Sequence, residues 1–229
     1  MGNAYNIAIK ENVEIVQFPY LVEDRGRVNI GGEKHKPGLI LKTEELKYFM
    51  FYDKHKDHAK LESFFVWDKI YKRDLFLRTM EEFSDELVID ERLLIHDDNL
   101  LLFVTLQNAK SYYYYNEYGY YRYKGETLSI SNSINNANKN LHDVFKNLNF
   151  IFNYVPNEKK FKNMCYAYYR FLMFFHRRQL KYATEGIEFM KETIKLYLNC
   201  RFYSQKDKKM LFKDLKILNQ VRSSLTKNE

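Results

Sequence analysis

The sequence predicts an α-rich α/β protein, with a mixed strand-and-helix portion over residues 1–136 and a basic helical region over residues 137–229. Three observations carry this expectation. Val13-Glu14-Ile15-Val16-Gln17-Phe18 is short, apolar and β-branched, which suits a buried strand. Ser111 to Tyr123 is dense in tyrosine, a residue that favours pleated, half-buried surfaces, and Asn116 to Gly119 can supply a turn. From about Ala137 onward the apolar residues recur at helical spacing. Glycine (8) and proline (3) are too scarce for a fibrous or low-complexity chain.

Residues 4–10 alternate weakly and lead into the first strand. Asp24-Arg25-Gly26 and Gly31-Gly32 mark the loop expected after it. Leu39 to Tyr52 has partial helical spacing, with Thr43 and Glu45-Leu46 resembling a capped start. Between Phe64 and Met80, Val66/Ile70 and Trp67/Tyr71 pair at i,i+4, which predicts an amphipathic helix. Leu87-Val88-Ile89 and Leu93-Leu94-Ile95 suit either strand or loop. His96-Asp97-Asp98 then precedes Leu100-Leu101-Leu102-Phe103-Val104, and an aspartate ahead of such a run is a good N-cap for a buried helix. The tyrosine-rich stretch reads best as a buried hairpin. Beyond it, breaks near Pro156 and Ser204 divide the helical region into helices over about 138–154, 157–180, 182–200 and 205–224.

The net charge of +7 conceals an asymmetry. Residues 137–229 carry 19 lysines and arginines against 8 acidic residues, whereas residues 1–136 carry 18 against 22. A basic surface suits phosphates, nucleic acid or anionic lipid, and a set of solvated helix faces accounts for it more simply. The aromatic and basic stretch from Arg170 to Arg178 could seat a helix on an anionic membrane face or end a core helix with charges that complement its dipole. No apolar run approaches the roughly 20 residues of a bilayer span, and no signal-peptide pattern opens the chain. The cytoplasm, or the cytoplasmic face of a membrane, is the expected location. Cys165 and Cys200 are expected to be ordinary buried thiols. Asp53-Lys54-His55-Lys56-Asp57-His58 holds four metal-ligand types, but its lysines oppose a cation and no second cluster completes a shell, so no metal is expected in this chain. Only Arg122 and Lys124 accompany the tyrosines, too few cations for a base-stacking groove, and no nucleic-acid partner is expected.

Four segments in a fixed order carry a resemblance. Val66-Trp67-Asp68-Lys69-Ile70-Tyr71-Lys72-Arg73-Asp74-Leu75-Phe76 resembles the V-W-N-K segment that follows the nucleotide-binding half of many glycosyltransferases of family 2. About 30 residues on, His96-Asp97-Asp98-Asn99-Leu100 is similar to that family's E-D motif. Tyr120-Tyr121-Arg122-Tyr123 with Ser129-Ile130-Ser131 resembles its tyrosine-arginine strand and following loop. Upstream, Tyr5 to Phe18 resembles the helix and strand that come after its D-x-D metal motif.

The resemblance, over about residues 4–133, implies an incomplete GT-A-like α/β unit. It implies inverting transfer of a sugar from a nucleotide-sugar donor to a hydroxyl acceptor. Asp98 takes the position of the general base and Asp97 that of the neighbouring acid, while Trp67, Asp68 and Lys69 take those of acceptor-binding residues. A carboxylate at a helix N-terminus is held ionised by the dipole, which suits a base that removes the acceptor's proton. The family's divalent cation, manganese or magnesium, and its nucleotide site belong to an N-terminal half that would precede residue 4. The expectation is therefore a fragment that is inactive alone and binds no cofactor by itself. Two positions depart from the family pattern: Asp97 replaces a glutamate, and Asp68 replaces an asparagine. The residues also leave other readings open: simple N-capping for the aspartates, a core anchor or a stacking platform for Trp67, a solvated side chain for Lys69. A non-catalytic carbohydrate- or protein-binding module, or a basic helical protein of membrane or nucleic-acid surfaces, are the alternative functions.

Overall fold

A computed structural model describes residues 2–24, 26–31, 38, 40–42, 46, 66–86, 97–124, 136–177, 179–183 and 185–225. The described chain is helix-rich with small mixed sheets. It divides into two compact units, one built from the described residues up to 124 and the other from those after 135.

In the first unit, helix α1 (Gly2–Lys10) precedes strands β1 (Ile15–Gln17), β2 (Tyr20–Asp24), β3 (Arg27–Gly31) and β4 (Ile40–Lys42). Then come β5 (Lys69–Tyr71), α2 (Arg73–Glu86), α3 (Asp97–Asn108), β6 (Ser111–Tyr114) and β7 (Tyr120–Lys124). The described strands form two sheets, ordered β4-β6-β1-β5 and β3-β2-β7. β1 is central, parallel to β6 and antiparallel to β5, and Ile15, Val16 and Gln17 are all buried. Val16 faces α1, packing with Ala4 and Val13 and the partly buried Ile7, Ala8 and Ile70. Strand side chains alternate faces, so Ile15 and Gln17 point to the other side of the sheet.

Four expectations are corrected here. The stretch 66–80 is not one helix: residues 66–68 turn, β5 pairs with β1, and α2 begins at Arg73. The i,i+4 coincidences there pair residues of the turn, Val66 and Trp67, with residues of the strand, Ile70 and Tyr71. Residues after Asp24 are not all loop, because β2 and β3 form an antiparallel hairpin around Gly26, whose φ of +75° favours glycine. Ile40–Lys42, within the stretch read as partly helical, is strand β4, and Leu46 beyond it is helical as expected.

The tyrosine stretch, finally, is not a hairpin. β6 runs parallel to β1 (Ile15 opposite Tyr112) and β7 runs parallel to β2 (Tyr20 opposite Tyr120), so one direction is kept throughout. The tyrosine segment carries three more residues than its partner between these pairs, and this bulge switches it from one sheet to the other. The N–H groups of Tyr115 and Gly119 donate to the carbonyls of Gln17 and Pro19 on either side of it. Gly119 has no room for a side chain, since a Cβ there would lie 2.4 Å from a Phe18 ring carbon. Gly119→Ala is expected to lower stability by about 1–3 kcal/mol through overpacking. Urea unfolding measures this, and Phe18→Leu in the same chain should recover part of the loss.

The second unit holds α4 (Ala137–Tyr154), α5 (Lys159–Phe175), a 3₁₀ turn (Gln179–Tyr182), α6 (Glu185–Leu198) and α7 (Gln205–Leu225). The break after α4 follows from Pro156, which disfavours helix in the residue before it; Val155 is extended at φ −68°, ψ 149°. Ser204 and Asp207 cap the start of α7 reciprocally, the Ser204 Oγ accepting from the Asp207 N–H (3.2 Å) and the Asp207 carboxylate accepting from the Ser204 N–H (3.0 Å). α6 packs on both α4 and α7. At its crossing with α4 a Cβ on Gly186 would lie 2.7 Å from that of Leu141, so glycine permits the close approach. The interior is aromatic: Phe145, Tyr168, Tyr169 and Tyr197 are at most 1% exposed. Cys165 and Cys200 are free, buried thiols, the first in α5 and the second just past the end of α6.

Candidate functional site

The residues from Val66 to Lys69 enter the central sheet at its β5 edge. Chain direction is fixed by backbone bonds on both sides: the Phe18 N–H donates to the Asp68 carbonyl (3.0 Å), and the Lys72 N–H donates to the Glu14 carbonyl (2.8 Å). Tyr71 also returns its hydroxyl to the Val66 carbonyl at 3.2 Å.

Trp67 is half-buried between two tyrosines that stand opposite each other on β2 and β7. Its ring meets Tyr20 edge-on at 4.6 Å and Tyr120 at a tilt at 4.7 Å. Tyr20 is buried and Tyr120 is 43% exposed, so this aromatic group has an inner anchor and an outer face. Such contacts hold a ring rigidly while leaving apolar area for a ligand.

Asp68 and Lys69 turn inward. Both side chains are 0% exposed, and the Lys69 ammonium donates to Asp68 Oδ1 at 2.5 Å. Gln17 Nε2 donates to Asp68 Oδ2 at 2.8 Å, and Gln17 Oε1 accepts the Tyr112 hydroxyl at 2.6 Å. Both carboxylate oxygens are thus paired, as burial of a charge demands. Burial pushes the Asp68 carboxyl above the ordinary carboxylate range, while Lys69 and Gln17 pull it down without cancelling that effect. The solvated lysine envisaged from an amphipathic helix is therefore corrected: Lys69 stands on a strand beside Gln17, facing the interior.

Asp97 and Asp98 are the first two residues of α3, which packs on α2. This is the helix start that the sequence predicts, and Asn99 and Leu100 behind them are buried. The side chains of the two aspartates lie outside the described residues, as do His96 and the whole run from Asp53 to His58. Among the described residues no group of three histidine, cysteine, aspartate or glutamate side chains is arranged to hold a metal ion.

The structure brings Trp67, Asp68 and Lys69 together with four residues that the sequence did not assign to a site: Gln17, Tyr20, Tyr112 and Tyr120. Gln17 carried a readable signal, as a polar residue between the apolar Val16 and Phe18. The tyrosines could not be assigned without the parallel pairing of distant strands. No family model matches the sequence, and no curated protein matches it.

Proposed function

We propose that this chain is the acceptor-side portion of an inverting family 2 glycosyltransferase. Trp67 forms the apolar platform for the acceptor, and the buried Asp68–Lys69 pair behind it fixes the turn that presents the indole. Asp98 takes the position of the general base, with Asp97 beside it. The observation that carries the reading is that the described parts of the four resembling segments, over 5–18, 66–76, 97–100 and 120–123, fall in one compact unit, with the two aspartates in the first turn of a helix and Trp67 seated between Tyr20 and Tyr120.

In such a reaction the base takes the acceptor hydroxyl's proton as its oxygen displaces the nucleoside diphosphate from the anomeric carbon. A carboxylate in the first turn of a helix is kept ionised for this task by the orphan N–H groups around it. The nucleotide-sugar and its divalent cation, manganese or magnesium, belong in this reading to the nucleotide-binding half of family members. The described residues offer no ligand set for the cation. The half-exposed aromatic group also suits a non-catalytic carbohydrate-binding module, which would use Trp67 and not Asp98.

A glycan array probed with the chain, with no nucleotide-sugar added, tests the acceptor platform. Retention of a restricted set of glycans, weakened at least about tenfold by Trp67→Ala, is expected, since one aromatic face contributes about 1–3 kcal/mol of stacking. Asp98→Asn should leave that retention unchanged. In any preparation that transfers sugar from a nucleotide-sugar donor, the same substitution should lower transfer at least about a hundredfold. Absence of glycan binding by the folded chain sinks the platform assignment, and undiminished transfer by Asp98→Asn sinks the base assignment.

A further inference from the structure

We infer that the solvent face of α7 is a docking surface for an anionic lipid bilayer, a property independent of the sugar-transfer reading. At about 100° per residue, Lys206, Lys209, Lys213 and Lys216 fall within an arc of roughly 80° and along about 15 Å of the helix axis. All four are exposed, and none forms a salt bridge among the described residues. The helix's two aspartates lie elsewhere: Asp207 caps the N-terminus with Ser204, and Asp214 is buried beneath Arg170 and Tyr169. No acidic residue therefore offsets the lysines on their own face.

Two large apolar side chains flank the lysine stripe, Phe212 at 59% exposure on one side and Ile217 at 38% on the other. Beside Phe212 a shallow groove of about 500 Å³, lined by Leu198, Asn199, Lys195 and Lys208, continues the same mixture of apolar and basic groups between α6 and α7. The apolar flanks decide the kind of partner. Nucleic-acid phosphates would use the lysines but leave Phe212 and Ile217 in water. A bilayer surface uses both, because the ammonium groups reach anionic headgroups while the apolar side chains enter the acyl boundary. The excess of basic residues over 137–229 strengthens the attraction at long range.

Flotation of the intact chain with vesicles tests this, using phosphatidylcholine alone and phosphatidylcholine with about one-third phosphatidylserine at about 0.1 M salt. The chain should rise with the anionic vesicles and remain behind with the neutral ones. The triple variant Lys209→Glu, Lys213→Glu, Lys216→Glu should reduce partition at least tenfold, and Phe212→Ser should reduce it severalfold, each with unaltered far-ultraviolet circular dichroism. Lys159→Glu with Lys160→Glu, on α5, should change little. The inference is overturned by failure to float, by equal binding to both vesicles, by insensitivity to either α7 variant, or by preference for duplex DNA over anionic vesicles.

Discussion

Raising the pH above about 10 is expected to unfold the helical unit cooperatively, because its interior holds tyrosine hydroxyls that cannot ionise in place. Burial pushes Tyr169, Tyr197 and Tyr203 well above the ordinary value of 10.0, and at Tyr169 the Asp214 carboxylate adds to the effect. Tyr203 donates to the Lys162 carbonyl at 2.8 Å and Tyr169 to Asp214 at 3.0 Å, bonds that need the proton. The Cys165 thiol, also buried, is pushed up to about 12. A group whose pKa is raised by folding leaves stability intact below its unfolded value and removes it as pH climbs toward its folded value. Loss should begin near pH 9 with Cys165 and steepen above pH 10 as the tyrosines of the unfolded chain ionise. Each proton contributes a slope of about 1.4 kcal/mol per pH unit, so the three tyrosines together cost about 4 kcal/mol per unit. Against a domain stability of about 5–15 kcal/mol, that exhausts the fold within a few pH units. Tyrosinate absorbance and far-ultraviolet circular dichroism should therefore change together. Tyr169→Phe should flatten the slope by about a third while costing about 1 kcal/mol at neutral pH through the lost hydrogen bond. A smooth tyrosine titration around pH 10 with the helices intact would disprove the account.

The same unit was the most legible part of the sequence, and the reason is locality. Pro156 and the Ser204–Asp207 box are signals that act within a turn or two, and helical periodicity over residues 137–225 needs no distant partner. Asp97 and Asp98 were readable as a helix start on similar grounds. Strands were legible where burial made them continuous, as at Ile15 to Gln17, and where tyrosine marked them, as at β6 and β7. β5 is three residues long, too short to display a period, and its aromatic and apolar neighbours mimicked a helix face with Trp67 and Tyr71. The tyrosine stretch misled for a related reason. Its turn residues, Asn116 to Gly119, suggested a local hairpin, whereas its partners are β1 and β2, about a hundred positions earlier. Chain proximity cannot announce a parallel pairing of that kind. Lys69 was the least legible of all: its partner Asp68 is its neighbour along the chain, but nothing in the sequence says that both side chains will be buried.

That buried pair supports the other large expected effect. Lys69→Met, which preserves the length and apolar stem of the side chain, is expected to destabilise the first unit by about 3–5 kcal/mol at neutral pH, because it leaves Asp68 charged and unmatched in the interior. Gln17 would remain as a donor to the carboxylate, but one amide hydrogen bond does not replace an ammonium group. The pH dependence separates this cause from simple repacking. Burial already raises Asp68 above its ordinary 3.8, and Lys69 is the largest influence holding it down. Without the lysine the folded value rises further, so the folded state takes up a proton at a higher pH than the unfolded chain does. Stability then falls as pH rises from about 4 through that folded value. The loss relative to the unaltered chain should accordingly be greatest near neutrality and smallest near pH 4. Adding Asp68→Asn should restore most of it at neutral pH and abolish the pH dependence, since an uncharged amide can still accept from Gln17. Denaturant unfolding of the single and double variants at several pH values provides the measurement. A loss that is equal at all pH values, or that the second substitution fails to repair, would mean that the uncompensated charge of Asp68 is not its cause.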